Sequence, residues 1–238
     1  MTDSSRRRFL RGTATTAGLL GFAGGTQAGE GRALGLPVSG YGQRAHYETA
    51  ARWLTPTRYL ASTASWTPLA DQVGILTPSG LHYERHHAGV PDIAPDAHRL
   101  LLHGLVRRPL EFTLAELRRF PLAERLCFLE CSGNSYREWQ GPGGADVQQT
   151  HGLTSCSVWS GVRLADVLAE CEPLPEARWL VAEGSDAARL TRSLPLDKAL
   201  DDVLLAYGQN GEALRPEQGY PLRLLVPGYE GSISVKWL

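Results

Sequence analysis

The segment RLCFLECSGN, Arg125–Asn134, is the stretch around which the rest of the sequence can be organised. Its apolar run Leu126–Leu129 predicts a short buried strand, and the Ser-Gly-Asn sequence after Cys131 predicts a loop. A cysteine at such a junction is held by the strand and exposed by the loop, which suits a thiolate that acts as a nucleophile or a metal ligand. A buried thiol without chemistry is the alternative interpretation.

Length and composition describe an ordinary globular chain. Its 238 residues are enough for one large domain or two small ones. The net charge of −1 favours no nucleic-acid partner. With 42% hydrophobic and 21% charged residues, and with 26 Gly and 15 Pro, the chain favours a loop-rich fold with strands over a helical bundle.

Residues 1–28 have the three parts of an export signal. The pair Arg6-Arg7 precedes Phe9-Leu10, an uncharged run follows over residues 12–25, and Ala28 offers a small residue for cleavage. This arrangement predicts a twin-arginine leader and a periplasmic protein that folds before export. No other long apolar segment follows, so we expect no membrane span after cleavage.

The four cysteines do not match a zinc or haem motif. No Cys-x-x-Cys pair and no Cys-x-x-Cys-His sequence occurs, so we expect neither a structural zinc site nor haem on this chain. If Cys127 and Cys131 share a strand they lie roughly 13 Å apart. A disulfide needs Cα atoms within about 7 Å, so these two are not expected to pair. Cys156 and Cys171 are either a pair or two buried thiols.

Patterning divides the chain into three parts. After the leader, residues 29–72 are weakly patterned and predict an extended arm, with one short helix near Glu48–Leu54. Organised sequence begins at residue 73 and continues to residue 238, which predicts a single domain there. Local signals within it are a capping box at Thr113 and Glu116, an amphipathic helix from Leu164 to Cys171, a hairpin turn at Asn210-Gly211 and a strand over Ser232–Trp237.

Arg85 and His87 form a candidate anion site. In an extended segment, residues two positions apart lie on the same face. An arginine offers a fixed positive fork, and a histidine offers a donor that depends on pH. The alternative is a solvated cluster of basic side chains on a loop.

Several motifs, taken in order, resemble those of the molybdenum-cofactor domain of the sulfite oxidase family, and within it those of the SoxC-type sulfane dehydrogenases. The resemblance runs from about Trp66 to the last residue. The matching pieces are TPSGLHYERHHAG at 77–89, ECSGN at 130–134, EGSD at 183–186, LPLDKAL at 194–200, GYPLRLLVPG at 219–228 and VKWL at 235–238.

The resemblance implies an α+β fold with a mixed sheet and a molybdenum-molybdopterin cofactor. Cys131 would be the single protein ligand to molybdenum, to which a soft thiolate is suited. Catalytic roles would fall to Cys131, Arg85, His87 and Tyr207, with Tyr207 beside the substrate. Cofactor contacts would come from Tyr83, Glu84, Arg85, His87, Cys131, Asp186, Gln218, Arg223, Ser234, Val235 and Lys236.

The implied activity is molybdenum-dependent oxidation of a sulfur compound, either a sulfur oxyanion such as sulfite or protein-bound sulfane sulfur. Electrons would leave one at a time to a cytochrome c subunit. Two other hypotheses remain open: a related molybdenum enzyme that reduces an S- or N-oxide, and a scaffold domain that holds little cofactor.

Three features depart from the family pattern. Tyr136 stands where the sulfite oxidases have an arginine, which points away from free sulfite, and Gln218 replaces a histidine of the pterin segment. The family chain also continues into an immunoglobulin-like dimerisation domain, whereas this sequence stops inside a predicted strand. We therefore expect a C-terminally truncated chain with an exposed edge at Ser232–Trp237, and homodimer formation stays open.

Overall fold

The computed structural model describes residues 36–54, 62–139, 141 and 143–238. These residues fall into two units, one ending at Ala45 and the other running from His46 to Leu238. In the first unit the Ser39 hydroxyl donates to the Tyr41 carbonyl at 2.9 Å. The predicted leader and residues 29–35 of the predicted arm lie outside the described residues, and so do residues 55–61.

The second unit is built mainly from strands with short helices between them. The strands are β1 (Trp53–Leu54), β2 (Thr63–Trp66), β3 (Glu84–His86), β4 (Leu100–Leu102), β5 (Leu110–Phe112), β6 (Leu122–Glu130), β7 (Thr154–Arg163), β8 (Trp179–Glu183), β9 (Thr191–Pro195), β10 (Leu204–Gln209), β11 (Glu212–Ala213) and β12 (Arg223–Leu225). The helices are α1 (Leu114–Leu117), α2 (Tyr136–Trp139), α3 (Val147–His151), α4 (Leu164–Cys171) and α5 (Leu196–Asp201), with 3-10 turns at Leu69–Asp71, Ser79–Leu81 and Pro216–Gln218. The predicted α+β class is confirmed.

The largest sheet has the strand order β11-β10-β7-β6, and β12 also pairs with β10. β6 and β7 are antiparallel along their whole shared length, from the pair Leu122 and Val162 to the pair Glu130 and Thr154. A second, three-stranded sheet has the order β1-β2-β3, and two hairpins, β4-β5 and β8-β9, complete the unit. Because β2 pairs with both β1 and β3, part of the predicted arm is built into the folded domain.

Two hydrophobic clusters share strand β10. Leu205 belongs to the larger cluster and Tyr207 packs against it. Leu204 and Ala206 belong to the smaller cluster, which also contains Cys131. Successive side chains of a strand point to opposite faces, so β10 contributes alternate residues to the two cores.

Local sequence signals correspond closely to the observed elements. Thr113 caps α1: its hydroxyl accepts from the Glu116 backbone N–H at 3.2 Å, while the Glu116 carboxylate accepts from the Thr113 backbone N–H at 2.8 Å. The four residues whose spacing predicts the amphipathic helix are buried in α4, namely Leu164, Val167, Leu168 and Cys171. Asn210 and Gly211, with φ of 51° and 80°, form the two-residue turn between β10 and β11.

Three predictions of local structure are wrong. β6 is not buried throughout, since Leu126 is 51% exposed and Phe128 is 61% exposed. β6 is an edge strand of the sheet, and its side chains alternate between the two faces, which leaves these two side chains exposed. Ser232–Trp237 forms turns with one isolated bridge to Arg223, and not a strand with an open edge. The predicted helix near Glu48–Leu54 gives way to strand β1, Trp53–Leu54.

In the part of the chain that the structure describes, no helix combines the length and the apolar character that crossing a bilayer requires.

Candidate active site

A cavity of about 310 Å³ opens where β3, the loop after β6, and the C-terminal segment meet. Most of the residues that the sequence placed at the site are in its wall. The lining residues are His82, Tyr83, Arg85, His86, His87, Leu129, Cys131, Ser132, Gly133, Asp186, Leu190, Arg192, Gln218, Arg223, Gly231, Ser232, Ser234, Lys236 and Trp237.

Cys131 follows directly after β6 and is 9% exposed. Its backbone N–H donates to the Leu153 carbonyl at 3.0 Å, and its Sγ accepts from the Gly133 backbone N–H at 3.4 Å. The strand-to-loop junction predicted from the sequence therefore presents this sulfur to the cavity.

Asn134 holds the loop that follows Cys131. Its side-chain N–H groups donate to the Thr154 hydroxyl at 2.9 Å and to Glu130 at 3.0 Å, and its side-chain oxygen accepts from the Leu153 backbone N–H at 3.1 Å. Because these bonds tie the loop to β6 and to the start of β7, they limit how far Cys131 can move.

Arg223 places a buried positive charge beside the cavity. Its guanidinium donates to the carbonyls of Gln218 at 3.0 Å and Ser234 at 2.9 Å, and lies 4.8 Å from the centre of the Trp159 ring. Burial lowers its pKa to about 10, which leaves it charged at neutral pH. Among the described residues no carboxylate forms an ion pair with it, and a buried charge of this kind favours an anionic ligand.

Gln218, at the position where the family has a histidine, keeps a donor in place. Its side chain is 2% exposed and donates to the Tyr83 carbonyl at 2.9 Å. Its own carbonyl accepts from Arg223. The substitution therefore preserves a hydrogen-bonded side chain at this point of the wall.

Two buried polar atoms in the cavity wall have no hydrogen-bond partner among the residues that the structure describes. One is Nε2 of His82, whose other ring nitrogen lies 3.0 Å from the Tyr83 carbonyl. Since a carbonyl can only accept, Nδ1 carries the proton and Nε2 is an acceptor. The other atom is Oδ1 of Asp186. Both atoms suit a ligand that brings N–H or O–H donors.

Tyr83 is packed against Gly231 so closely that only glycine fits there. A Cβ at position 231 would lie 2.3 Å from the Tyr83 hydroxyl. The Gly231 backbone N–H in turn donates to the Glu130 carbonyl at 2.6 Å. Burial, and then the neighbouring Cys131, raise the pKa of Tyr83, so its hydroxyl keeps its proton at neutral pH.

Lys236 and β3 form a hydrogen-bonded group in the cavity wall. The Lys236 ammonium lies 2.7 Å from Nδ1 of His86 and 3.1 Å from each of the Arg85 and Glu217 carbonyls. The other nitrogen of His86 lies 2.8 Å from the Glu84 carboxylate.

Arg85 and Arg192 bring further positive charge to the cavity wall, where His87 also lies. Burial, followed by the charges of Arg85 and Arg192, lowers the pKa of His87. Arg85 lies on β3 and donates to the His86 carbonyl at 2.6 Å, which fixes one end of its guanidinium. Arg85 and His87, which the sequence places on one face of an extended segment, both line this cavity.

Three predicted site residues do not line the cavity. Tyr207 faces the larger hydrophobic cluster, with the Arg118 guanidinium 5.4 Å from its ring centre, because the alternation of β10 turns it away from Cys131. Val235 is 1% exposed and packs into the same cluster. Glu84 reaches the cavity only through His86.

Sequence reasoning missed His82, His86 and Arg192 as wall residues. The histidine-rich run LHYERHH contained the first two, but no local pattern indicates which of its side chains turn inward. Arg192 reaches the cavity through the β8-β9 hairpin, where it pairs with Ala182, and this register depends on residues distant in sequence.

The model of the oxidoreductase molybdopterin binding domain matches residues 87–238. This chain belongs to that family. The solved structure of the sulfane dehydrogenase SoxCD from Paracoccus pantotrophus is similar to it, with a TM-score of 0.81 and 42% identity, covering 87% of this chain and 54% of that one.

Curated relatives of the family include nitrate reductases. The NADH-dependent enzyme of Ulva prolifera is 36% identical over 199 residues, 72% of this chain and 22% of that protein. An NAD(P)H-dependent enzyme of Hordeum vulgare is 38% identical over 184 residues, 69% of this chain and 20% of that protein. The chain thus spans about a fifth of the length of these relatives and about half of the SoxCD chain.

The cavity fits the cofactor of the family. A molybdopterin carries a phosphate, for which Arg223 offers a buried positive charge, and ring N–H groups, for which His82 and Asp186 offer the acceptors described above. Within the described residues no three His, Cys, Asp or Glu side chains gather into a metal site of their own. A metal here would take Cys131 as a protein ligand and its other ligands from the cofactor.

Proposed function

We propose that this chain binds molybdenum-molybdopterin in the 310 Å³ cavity and oxidises a sulfur compound, passing the electrons to a cytochrome c. The observation that carries the proposal is that the Cys131 sulfur, whose loop Asn134 holds, shares a cavity with buried Arg223. Among the described residues no carboxylate forms an ion pair with this arginine. The likeness to a sulfane dehydrogenase supports a sulfur substrate.

The residues divide into those that would hold the cofactor and those that would meet the substrate. Cys131 would ligate the metal, while Arg223, Asp186 and His82 would bind the pterin. When bound, the cofactor supplies two-electron redox chemistry at molybdenum. Tyr83, whose raised pKa keeps it protonated, would remain a hydrogen-bond donor in the wall.

The substrate would meet positively charged side chains in the cavity wall. Arg85 and Arg192 line the cavity and would attract a sulfur oxyanion or the negative end of a protein-bound sulfane, while His87, which also lines it, would offer a hydrogen-bonding ring. Tyr136 is 56% exposed on α2 and does not line the cavity, so it would not replace the arginine that the sulfite oxidases have at this position. This favours sulfane sulfur over free sulfite.

A periplasmic location and twin-arginine export complete the proposal and rest on residues 1–28 of the sequence. The pairing with a cytochrome c and the formation of a dimer rest on the family resemblance. Both are tested by isolating the protein from its source and identifying what copurifies.

The nitrate reductases among the relatives favour a second candidate function, the reduction of an oxyanion. The same positively charged side chains, Arg85 and Arg192, would also attract nitrate or an S-oxide. The two candidates differ in the direction of electron flow, so one pair of assays separates them.

The test uses the purified chain, loaded with cofactor during expression, and its Cys131→Ser variant. We expect wild type to contain molybdenum and pterin, and to reduce cytochrome c with sulfite or thiosulfate. Cys131→Ser should lose turnover and most of its molybdenum because a hydroxyl is a poor substitute for a soft thiolate. Cys127→Ser, a change on the same strand, is the control and should affect stability alone.

Three results would decide against the proposal. Wild type without molybdenum would favour the scaffold hypothesis. Nitrate reduction with a dye donor, without oxidation of sulfur compounds, would favour the second candidate. Full molybdenum content and activity in Cys131→Ser would remove Cys131 as the ligand.

A further inference from the structure

The N–H donors of Lys236 form hydrogen bonds to acceptors within the protein. An ammonium group has three N–H donors. Nζ of Lys236 has three acceptors at hydrogen-bond distance, which are the Arg85 carbonyl at 3.1 Å, the Glu217 carbonyl at 3.1 Å and Nδ1 of His86 at 2.7 Å. Although the side chain lines the cavity, its donors are therefore already engaged.

The Glu84 carboxylate determines which nitrogen of His86 can accept. An ionised carboxylate has no hydrogen to donate, so Nε2 of His86, 2.8 Å away, must carry the proton. Nδ1 is then a bare acceptor facing Lys236. Burial lowers the pKa of His86, which keeps the ring neutral.

Glu84 stays ionised because a cation sits on its other side. Burial alone would raise the pKa of Glu84, but the hydrogen bond from His86 and the charge of Arg52 outweigh it, and the pKa is lowered overall. Arg52 forms an ion pair with Glu84 and a second one with Glu217 at 3.3 Å. The charges thus alternate in sign from the surface inward to Lys236.

The proton between His86 and Lys236 belongs to the lysine. A free lysine holds its proton about 4 pK units more tightly than a free histidine. Burial, and then the charge of Arg223, lower the pKa of Lys236 well below its ordinary value, against the opposing charges of Glu84, Asp186 and Glu217. The geometry nevertheless requires the ammonium, because all three neighbours of Nζ are acceptors and only the protonated amine has three N–H donors. The Trp237 ring, whose centre lies 4.5 Å from Nζ, also favours a cation.

We propose that His86 is a positioning residue that, with Glu84 behind it, holds the Lys236 ammonium in the cavity wall as a fixed positive charge. Lys236 then acts on a bound anionic group through its charge. Donation of hydrogen bonds to that group falls to other side chains of the cavity wall.

This inference rests on the proposed function and identifies a residue that retains the anionic pterin of that site. It predicts that pterin leaves His86→Leu faster than His86→Asn. Packing alone would predict the opposite order. In a buried position, leucine preserves apolar packing better than asparagine does. Asparagine, however, offers an oxygen near the place of Nδ1 and can still accept from Lys236.

The experiment measures how fast pterin leaves the purified holoprotein on dilution, by fluorescence of the released pterin. We expect His86→Leu to release pterin about tenfold faster than wild type. An effect of this size is usual when a residue that contacts the bound group loses the hydrogen bond that orients it. His86→Asn should recover most of the difference. His98 is also buried and bonds through Nε2 to the Leu238 carbonyl at 2.7 Å, so His98→Leu and His98→Asn are the matched controls and should release pterin at the wild-type rate.

A second measurement needs no variant. Nitrogen NMR of wild type labelled in its histidines reports which nitrogen of His86 carries the proton. We expect a neutral ring with the proton on Nε2 and a bare Nδ1. A proton on Nδ1, or a charged ring, would overturn the assignment of His86 as the acceptor.

The outcomes separate the two proposals. Wild type that holds no pterin would overturn the proposed function and this inference with it. Wild type that holds pterin, with equal release from His86→Leu, would overturn this inference and leave the proposed function standing. Faster release from His86→Asn than from His86→Leu would show that packing, and not the acceptor, retains the ligand.

Discussion

His82 is a buried imidazole with one nitrogen bonded to the Tyr83 carbonyl and the other without a partner. Burial, together with the charges of Arg223, Lys236 and Arg52, lowers its pKa from 6.5 to about 3. Between these two values the unfolded chain binds a proton that the folded chain does not. The free energy of unfolding therefore decreases as the pH falls below 6.5, at up to about 1.4 kcal/mol per pH unit.

Replacing His82 by phenylalanine should remove its share of this pH dependence. We expect the loss of unfolding free energy between about pH 7 and about pH 5 to be roughly 2 kcal/mol smaller in His82→Phe than in wild type. Urea unfolding at both pH values measures this loss, and the difference between the two proteins at pH 7 gives the packing cost separately. An unchanged pH slope would mean that the ring titrates normally in the fold.

Single residues of the site were partly predictable. Cys131, Arg85 and Arg223 lie in recognisable motifs, because the chemistry of a thiolate or a guanidinium is visible in the residue type itself. Tyr207 was misplaced because a residue's type does not determine which face of a strand it occupies. Arg192 was missed because strand register brings it to the cavity.

At the scale of elements, β7 and β10 approach each other closely at Gly161. A Cβ there would lie 2.1 Å from the Leu205 carbonyl oxygen and 2.7 Å from the Ala206 Cα. Both atoms belong to backbone, so a side chain can be accommodated only if the strands separate. The glycine is therefore part of the sheet's packing.

Gly161→Ala should destabilise the protein by about 1–3 kcal/mol, the usual cost of overpacking. Gly80→Ala is the control, since a Cβ at that position would lie 3.8 Å from the Arg215 guanidinium, which is an ordinary contact. The control should change stability by less than about 0.5 kcal/mol. Urea unfolding measures both, and equal stability of the two variants would contradict the close approach.

The sequence predicted those elements whose signals are local. The capping box of Thr113 and Glu116 and the Asn210-Gly211 turn each satisfy their hydrogen bonds or dihedral angles within a few residues. The exposure of Leu126 and Phe128 was not predictable, because it depends on β6 being the edge of the sheet. Ser232–Trp237 alternates like a strand, but its apolar side chains are buried in a segment of turns.

At the scale of the whole molecule, Arg52 ties the N-terminal part of the second unit to the site. Its guanidinium pairs with Glu84 on β3 and with Glu217 in the 3-10 turn, and donates to the His82 carbonyl at 3.4 Å. The three charged side chains are only 16–22% exposed. Removing the arginine leaves two half-buried carboxylates without their cation.

We expect Arg52→Ala to lower the free energy of unfolding by about 1–3 kcal/mol, less than a fully buried pair because water still reaches these groups. Arg107→Ala is the control, since its pair with Glu172 is 3.9 Å long and both side chains are exposed. The control should cost at most about 1 kcal/mol. A thermal or urea unfolding series in low and high salt compares them, and similar losses would show that Arg52 is an ordinary surface residue.

Strand β10 has a consequence for how the domain unfolds. Leu204 and Ala206 face the cluster that contains Cys131, and Leu205 and Tyr207 face the other. Neither cluster can lose its packing while the strand keeps its place in the other, so the two should open as one cooperative unit. Hydrogen exchange of the amides of Leu204, Leu205, Leu224 and Leu225 should give a single free energy of opening.

Two distinct free energies, one for each cluster, would contradict this linkage. With the linkage, every destabilising change in the larger cluster also raises the fraction of molecules in which the cavity is open. Substitutions of the buried side chains of the larger cluster should then shorten the lifetime of bound cofactor, and more so the more stability they remove.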